Sequence, residues 1–347
     1  MKTSPKAVLG WGLAALLVIW APFPLQLQAQ DKAGISESLV RVRAYVPREA
    51  TTAQSLGAER EGNGIVIDSS GLVLTIGYLI IEADRIEVQS ENGTFPADFV
   101  GYDGDSGFGL IRARSSRAWQ LMALGDSSPL EVGDRLEVGG FGAAIQPVRV
   151  ISREEFVGYW EYLVDNALYT APAFSDFGGA ALVREGKLVG VGSILTTFVV
   201  RGAGRLACNM FVPIDLLKPI LQELVRSGRS GLPARPWLGV NTAETAGRVV
   251  VTMVTPGGPA DQAGLRPGDL ILAVGQQPVS GIGDFYRRVW SVGAAGVSVP
   301  LRVLQGETIK EIMVKSIDRM ERLRRSPNWP GGVPATPTAW LLRDTRD

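Results

Sequence analysis

The chain contains no histidine in its 347 residues. That absence removes Ser-His-Asp and Cys-His nucleophile systems, histidine zinc sites and the imidazole pH switch. Cysteine is almost as scarce: Cys208 stands alone, so no internal disulfide can form, and without a histidine base it is read as a buried small hydrophobe rather than a nucleophile. An excess of charge is lacking too. Lys plus Arg and Asp plus Glu balance at 35 each, which argues against nucleic acid as a main partner. What is present is 46% hydrophobic residues with 42 Gly and 21 Pro, the composition of a turn-rich globular protein with room for two modest domains.

The first thirty residues have the order of a secretory signal. Lys2 and Lys6 precede an apolar run from Ala7 to Ala21, Pro22 and Pro24 end it, and Gln26, Gln28, Gln30 and Asp31 follow. The run is shorter than the roughly twenty residues that span a bilayer comfortably. Residues 1–30 are therefore expected to be a signal peptide cleaved after Ala29, with an uncleaved membrane tether as the alternative. The folded part is expected to be exported, to a bacterial periplasm.

From residue 36 to about 215, short alternating segments are separated by Gly, Asp, Asn and Ser. Val40, Val42, Ala44 and Val46 alternate with polar neighbours, and Ile65–Ile67 and Leu72–Leu74 flank a turn at Asp68-Ser69-Ser70-Gly71. Further strands fit Arg85–Gln89, Phe99–Gly101, Gly109–Ala113, Arg135–Gly139, Ala180–Val183, Leu188–Val191 and Cys208–Val212. So many short strands with no long helical period predict an antiparallel barrel or sandwich. A helix is predicted over Ile214–Arg226, and Ser227-Gly228-Arg229-Ser230-Gly231-Leu232-Pro233 then breaks the chain. The boundaries expected are 31–230 for the first domain, 231–318 for a second, compact one, and 319–347 for a flexible Pro-rich tail. Asp103 and Asp105 are read as turn formers rather than as a cation site, so neither a metal nor a cofactor is expected.

Three stretches carry a resemblance. Ser175-Asp176-Phe177-Gly178-Gly179 with the hairpin behind it resembles the nucleophile loop of trypsin-like serine proteases. Gly62-Asn63-Gly64 through Thr75 resembles the strand and hairpin that lead to the histidine in the HtrA (Deg) branch, and Asp103 to Ile111 resembles that branch's aspartate strand. Against those patterns Phe177 stands at the serine, Tyr78 at the histidine and Gly107 at the aspartate. The resemblance implies a mainly β fold, a trypsin-like double β-barrel, with every triad position replaced and no catalytic residue left. Phenylalanine has no nucleophilic atom, tyrosine with a pKa near ~10 is a poor proton acceptor, and glycine cannot orient a base. Ser175 and Asp176 in place of the usual oxyanion loop imply a degenerate oxyanion site as well. An enzyme with a relocated group, for example Ser175 paired with Lys187, is the alternative.

The second domain opens Arg235-Pro236-Trp237-Leu238-Gly239-Val240 and continues through Pro256-Gly257-Gly258-Pro259-Ala260 and Ala263-Gly264-Leu265-Arg266-Pro267-Gly268-Asp269-Leu270-Ile271. It is similar to the α+β PDZ domains that follow HtrA protease domains. That similarity implies a loop at Leu238, Gly239 and Val240 whose N–H groups receive a peptide's terminal carboxylate. A helix over Ile282–Val292, with Phe285, Val289 and Val292 on one face by spacing, would form the other groove wall, and Phe285 and Val289 are candidates either for peptide contacts or for the core. The function expected is a catalytically inactive HtrA-like protein that binds protein C-termini or unfolded polypeptide, as an adaptor, a holdase or a regulator of an active HtrA-type protease. A homotrimer is what the resemblance implies for assembly; an active serine-type endopeptidase and a membrane-held envelope scaffold are the competing classes.

Overall fold

The computed structural model describes residues 34–200 and 204–323; the expected signal peptide and most of the expected Pro-rich tail lie outside them. Twelve strands build two barrels. The first is formed by β1 (Leu39–Tyr45), β2 (Glu59–Val66), β3 (Leu72–Ile76), β4 (Arg85–Ser90), β5 (Gly93–Tyr102) and β6 (Phe108–Ala113), closed in the order β1-β2-β3-β6-β5-β4. The second is formed by β7 (Arg135–Gly139), β8 (Gln146–Gly158), β9 (Tyr162–Ala171), β10 (Ala181–Arg184), β11 (Lys187–Val200) and β12 (Gly204–Pro213), closed as β10-β11-β12-β9-β8-β7. Closure satisfies every strand edge, and alternation buries one set of side chains in each barrel: Val40, Val42 and Ala44 in the first, Val138, Leu182 and Phe211 in the second. Cys208 is fully buried on β12.

The expected strands are present, with two additions. The long β8 and β9 were not foreseen, because the polar run Ser152-Arg153-Glu154-Glu155 and Asp165-Asn166 interrupt the alternation that would reveal them. They pair as an antiparallel hairpin that ends with Gly158 opposite Tyr162, leaving Tyr159, Trp160 and Glu161 at its tip. The single helix expected over 214–226 is also corrected. A 3-10 turn covers Ile214–Leu216 and the helix, α1, begins only at Leu221 and ends at Ser227. Pro219 explains the break: it has no N–H to donate and disfavours helical backbone at Lys218.

The second domain is a sheet of β13 (Val240–Thr245), β14 (Arg248–Val254), β15 (Leu270–Val274), β17 (Ser298–Gln305) and β18 (Thr308–Lys315) in that order, with the short β16 (Gln277–Pro278) beside β15. Helices α2 (Pro259–Gln262) and α3 (Ile282–Ser291) complete it. Phe285, Tyr286 and Val289 of α3 pack against Leu238, Val251, Ile271 and Val303. Val292, assigned to the same helix face by spacing, is 39% exposed and lies past the helix end. The β8–β9 hairpin reaches this domain, because Leu163 belongs to its core and Val157 packs on it.

Candidate functional site

Three chain segments meet where the barrels adjoin. Gly77–Leu79 forms a 3-10 turn after β3, and its Gly77 N–H donates to the carbonyl of Gly107 at 2.7 Å. The phenol of Tyr78 crosses to the other barrel and donates to the carbonyl of Ser193 at 3.0 Å. A Cβ on Gly178 would lie 2.9 Å from that same phenol oxygen, so Tyr78 presses directly on the loop that carries Phe177. Tyr78, Gly107 and the Phe177 loop are thus brought together, as the sequence pattern expects. Burial raises the Tyr78 phenol above its ordinary value, so it stays protonated. Arg60 braces the turn from below by donating to the carbonyls of Tyr78 and Ile81 at 2.8 and 3.1 Å; burial lowers it to about 10, still cationic at neutral pH.

The loop 175–179 is held by residues that motif reading did not single out. Asn63 of β2 donates its N–H to Gly178 O at 2.7 Å and its side-chain amide to Asp176 O at 2.7 Å. Its Oδ1 accepts from the N–H of Phe141 at 2.8 Å. Arg41 of β1 pairs with the Asp176 carboxylate at 2.7 Å and donates to Phe141 O at 3.1 Å. Gly179, at φ +74°, sits so close that an added Cβ would be 2.0 Å from Asn63 O, which makes glycine obligatory there. Ser175 is exposed and Phe177 half-buried. Lys187 begins β11, five residues along that strand from Gly192, whose neighbourhood includes the Phe177 carbonyl. No hydrogen bond joins Ser175 to Lys187 among the described residues, and Lys187 pairs across the hairpin with Arg184.

Position 107 has no side chain, and a neighbour uses the space. A Cβ on Gly107, at φ +82°, would meet the Tyr162 hydroxyl at 2.9 Å; that hydroxyl donates to Ser106 O at 2.7 Å. Tyr162 stacks on Trp160 at 5.7 Å and 7°, and burial with Tyr102 and Asp103 nearby pushes its phenol well above the ordinary value. Asp103 is engaged in its turn, accepting from the N–H and hydroxyl of Ser106 at 2.8 and 2.6 Å. Asp105 faces Arg235 of the second domain at 3.1 Å. No group of three or more acidic or cysteine side chains placed to hold a metal occurs among the described residues.

In the second domain the N–H groups of Leu238, Gly239 and Val240 do converge on a carboxylate, and it is an internal one. Glu161 accepts from Gly239 at 2.7 Å and Val240 at 2.9 Å through Oε1, and from Leu238 at 2.9 Å through Oε2. Gly239 makes this geometry at φ +81°, with its carbonyl accepting from Thr255 at 2.8 Å. Phe285 and Val289 are 0% and 1% exposed inside the domain core. The side chain of α3 that faces the β8–β9 tip is Tyr286, which donates to Gly158 O at 3.0 Å and accepts from the Glu161 N–H at 3.1 Å. Neither Glu161 nor Tyr286 carries a sequence signal for this role, since each lies outside the motifs and finds its partners about 80 residues or more away.

Family models match two stretches of the chain separately: a trypsin-like peptidase domain over residues 62–191 and a PDZ domain over 236–315. Among curated proteins, a probable periplasmic serine endoprotease, DegP-like, of Pseudomonas putida is 28% identical over 250 residues, covering 67% of this chain and 51% of that protein. The periplasmic pH-dependent serine endoprotease DegQ of Escherichia coli is 25% identical, covering 73% and 58%. The serine endoprotease DegS of Haemophilus influenzae is 26% identical, covering 77% and 84%. The chain spans about half the length of several of these relatives. Among solved structures, the HtrA-type protease AlgW with a decapeptide superposes with a TM-score of 0.52 at 21% identity, covering 86% of this chain and 99% of that one. A serine endoprotease from Yersinia pestis gives 0.51 at 22%, covering 84% and 97%. The chain thus carries a trypsin-like peptidase domain followed by a PDZ domain, the arrangement and fold of the HtrA-type structures it is similar to.

Proposed function

We propose that this protein is a catalytically inactive member of the HtrA type, exported to the periplasm, that works by binding polypeptide through its PDZ domain. The observation that carries the reading is the set of side chains at the barrel junction: a phenol whose proton is committed to Ser193 O, a glycine, and a phenylalanine. None of the three can take a proton from a nucleophile at neutral pH, orient a base or attack a carbonyl, and no histidine exists elsewhere to replace them. The loop around Phe177 is nevertheless held by Asn63, Arg41 and the obligatory Gly179, so its backbone is kept while its chemistry is gone.

Binding is the activity left to such a scaffold. The PDZ loop presents three N–H groups to a carboxylate, which supports recognition of a polypeptide's free C-terminus, exposed by unfolding or by proteolysis. The periplasmic location follows the names of the relatives and the signal-like first thirty residues. Action as an adaptor or holdase, or beside an active protease of the same type, fits this binding role. A fluorophosphonate serine probe tests the inactive reading. No labelling of the purified protein is expected, beside full labelling of an active HtrA-type protease; labelling that disappears in Ser175→Ala would establish the relocated-nucleophile enzyme instead.

A further inference from the structure

We infer that Glu161 is a resident internal ligand of the PDZ carboxylate loop, holding the groove closed until a polypeptide's terminal carboxylate displaces it. The inference rests on the proposed peptide-binding reading for the incoming ligand, and on geometry alone for the resident one.

The carboxylate is placed as a ligand's would be. All three loop N–H groups, Leu238, Gly239 and Val240, donate to it within 2.9 Å, and its residue is only 9% exposed. The contact is continued along the sheet edge. β13 is the outermost strand of its sheet, and the Thr242 N–H donates to Tyr159 O at 2.9 Å, a bond of the kind an added peptide strand makes. Tyr286 locks the tip from the helix side through Gly158 O and the Glu161 N–H, and its hydroxyl lies 3.0 Å from that of Thr242. Arg287 of α3 pairs with Glu155 of β8 and Asp165 of β9, so both strands of the hairpin are tied to the same helix.

The backbone favours a displaceable contact. Glu161 holds φ +56°, a conformation that a non-glycine residue adopts at a cost and that its side-chain bonds offset. A peptide carboxylate would offer the loop the same charge-assisted bonds without that strain. Glu161 is also joined by one peptide bond to Tyr162, the side chain that fills the space at Gly107. Release of the tip therefore acts on the barrel junction as well as on the groove.

The test reads the two parts separately in the full chain, comparing wild type with Glu161→Gln and Glu161→Ala. Glu161→Gln keeps the size of the side chain but turns an amide N–H toward the loop donors, and thermal melting confirms that each variant is folded. Hydrogen exchange at the amides of Leu238, Gly239 and Val240, followed by NMR, reads occupancy of the loop without any peptide. The binding probe is a pool of fluorescein-labelled degenerate decapeptides with free C-termini, beside the same pool amidated. Both variants are expected to exchange those amides faster and to bind the free-carboxylate pool more tightly, each by at least about tenfold, with no gain for the amidated pool. Unchanged exchange in both folded variants, or wild-type binding as tight as theirs, would overturn the inference. Faster exchange with no binding by any form would uphold Glu161 as the resident ligand and overturn the peptide-binding reading.

Discussion

The nucleophile-loop corner and the PDZ carboxylate loop are both turns in which a glycine at positive φ brings backbone close to its neighbours: Gly179 at +74° in one, Gly239 at +81° in the other. They differ in what faces that backbone. At the corner the surrounding side chains are a committed phenol, a phenylalanine and, over Gly107, the ring of Tyr162. At the PDZ loop the N–H groups meet a full carboxylate with three bonds of 2.7 to 2.9 Å. The backbone turns alike at both places; a phenol and a phenylalanine surround one, and a carboxylate bound by backbone donors faces the other. The same hairpin reaches both, through Glu161 and Tyr162, so the two regions are neighbours along the chain even where they belong to different domains.

The comparison breaks first at Gly179. Adding a methyl there drives it into Asn63 O at a positive φ, so Gly179→Ala is expected to cost about 4 kcal/mol or more, or to abolish folding, as read by urea denaturation. A near-neutral result would mean that the corner is not held as described. Gly107→Asp comes next. Its Cβ meets the Tyr162 hydroxyl at 2.9 Å in a left-handed conformation, for a loss of about 2–4 kcal/mol. For the same reason the triple change Tyr78→His, Gly107→Asp, Phe177→Ser is expected to show no peptidase activity on casein, because Tyr162 excludes the aspartate from its place. Arg41→Ala removes the cation from Asp176 and a donor from Phe141 O; a loss of about 1–2 kcal/mol is expected, discounted for the partial exposure of the carboxylate.

The smallest effect is a pH dependence at the junction between the domains. Burial, with Asp103 and Asp318 nearby, pushes the Asp105 carboxyl up to about 6 in spite of Arg235. A raised folded pKa means that the folded state holds the proton more tightly than the unfolded one. The stability this group contributes is therefore complete below about pH 4 and lost as pH rises through 6. Asp105→Asn is expected to be more stable than wild type at pH 8, with the advantage shrinking below pH 6 and gone near 4. Urea midpoints across that range check it, and a variant less stable at pH 8 would show the Arg235 ion pair to outweigh the burial.

Legibility in the sequence followed the range of the contacts. The glycine-rich turns and the alternating strands announced an antiparallel barrel or sandwich, because a turn glycine and a period of two are local facts, while the double barrel and the PDZ domain were implied only by the resemblance of longer motifs to the HtrA family. Gly62-Asn63-Gly64 was visible as a motif, but that Asn63 would tie together Phe141, Asp176 and Gly178 depends on strands from both barrels. Pro219 carried the information needed to split the helix after Leu216, and spacing of the leucines outweighed it. Strands β8 and β9 were hidden because their middle residues face solvent or the other domain and do not alternate. Glu161 was hidden for a stronger reason: a single acidic residue acquires its role from backbone donors 77 to 79 positions away, and no local pattern encodes that. Phe285 and Val289 stood between groove and core by position alone; both are buried in the domain core, and Tyr286 makes the contact to the hairpin tip.

The central claim is that the trypsin-like domain keeps its shape without its chemistry, and a time course of unfolded casein with the purified protein, run beside an active HtrA-type protease, tests it most directly. The account predicts intact casein throughout, in the presence or absence of the free-carboxylate peptide pool. Cleavage that co-purifies with the chain and is lost in Ser175→Ala would contradict it, because the corner would then supply a nucleophile after all.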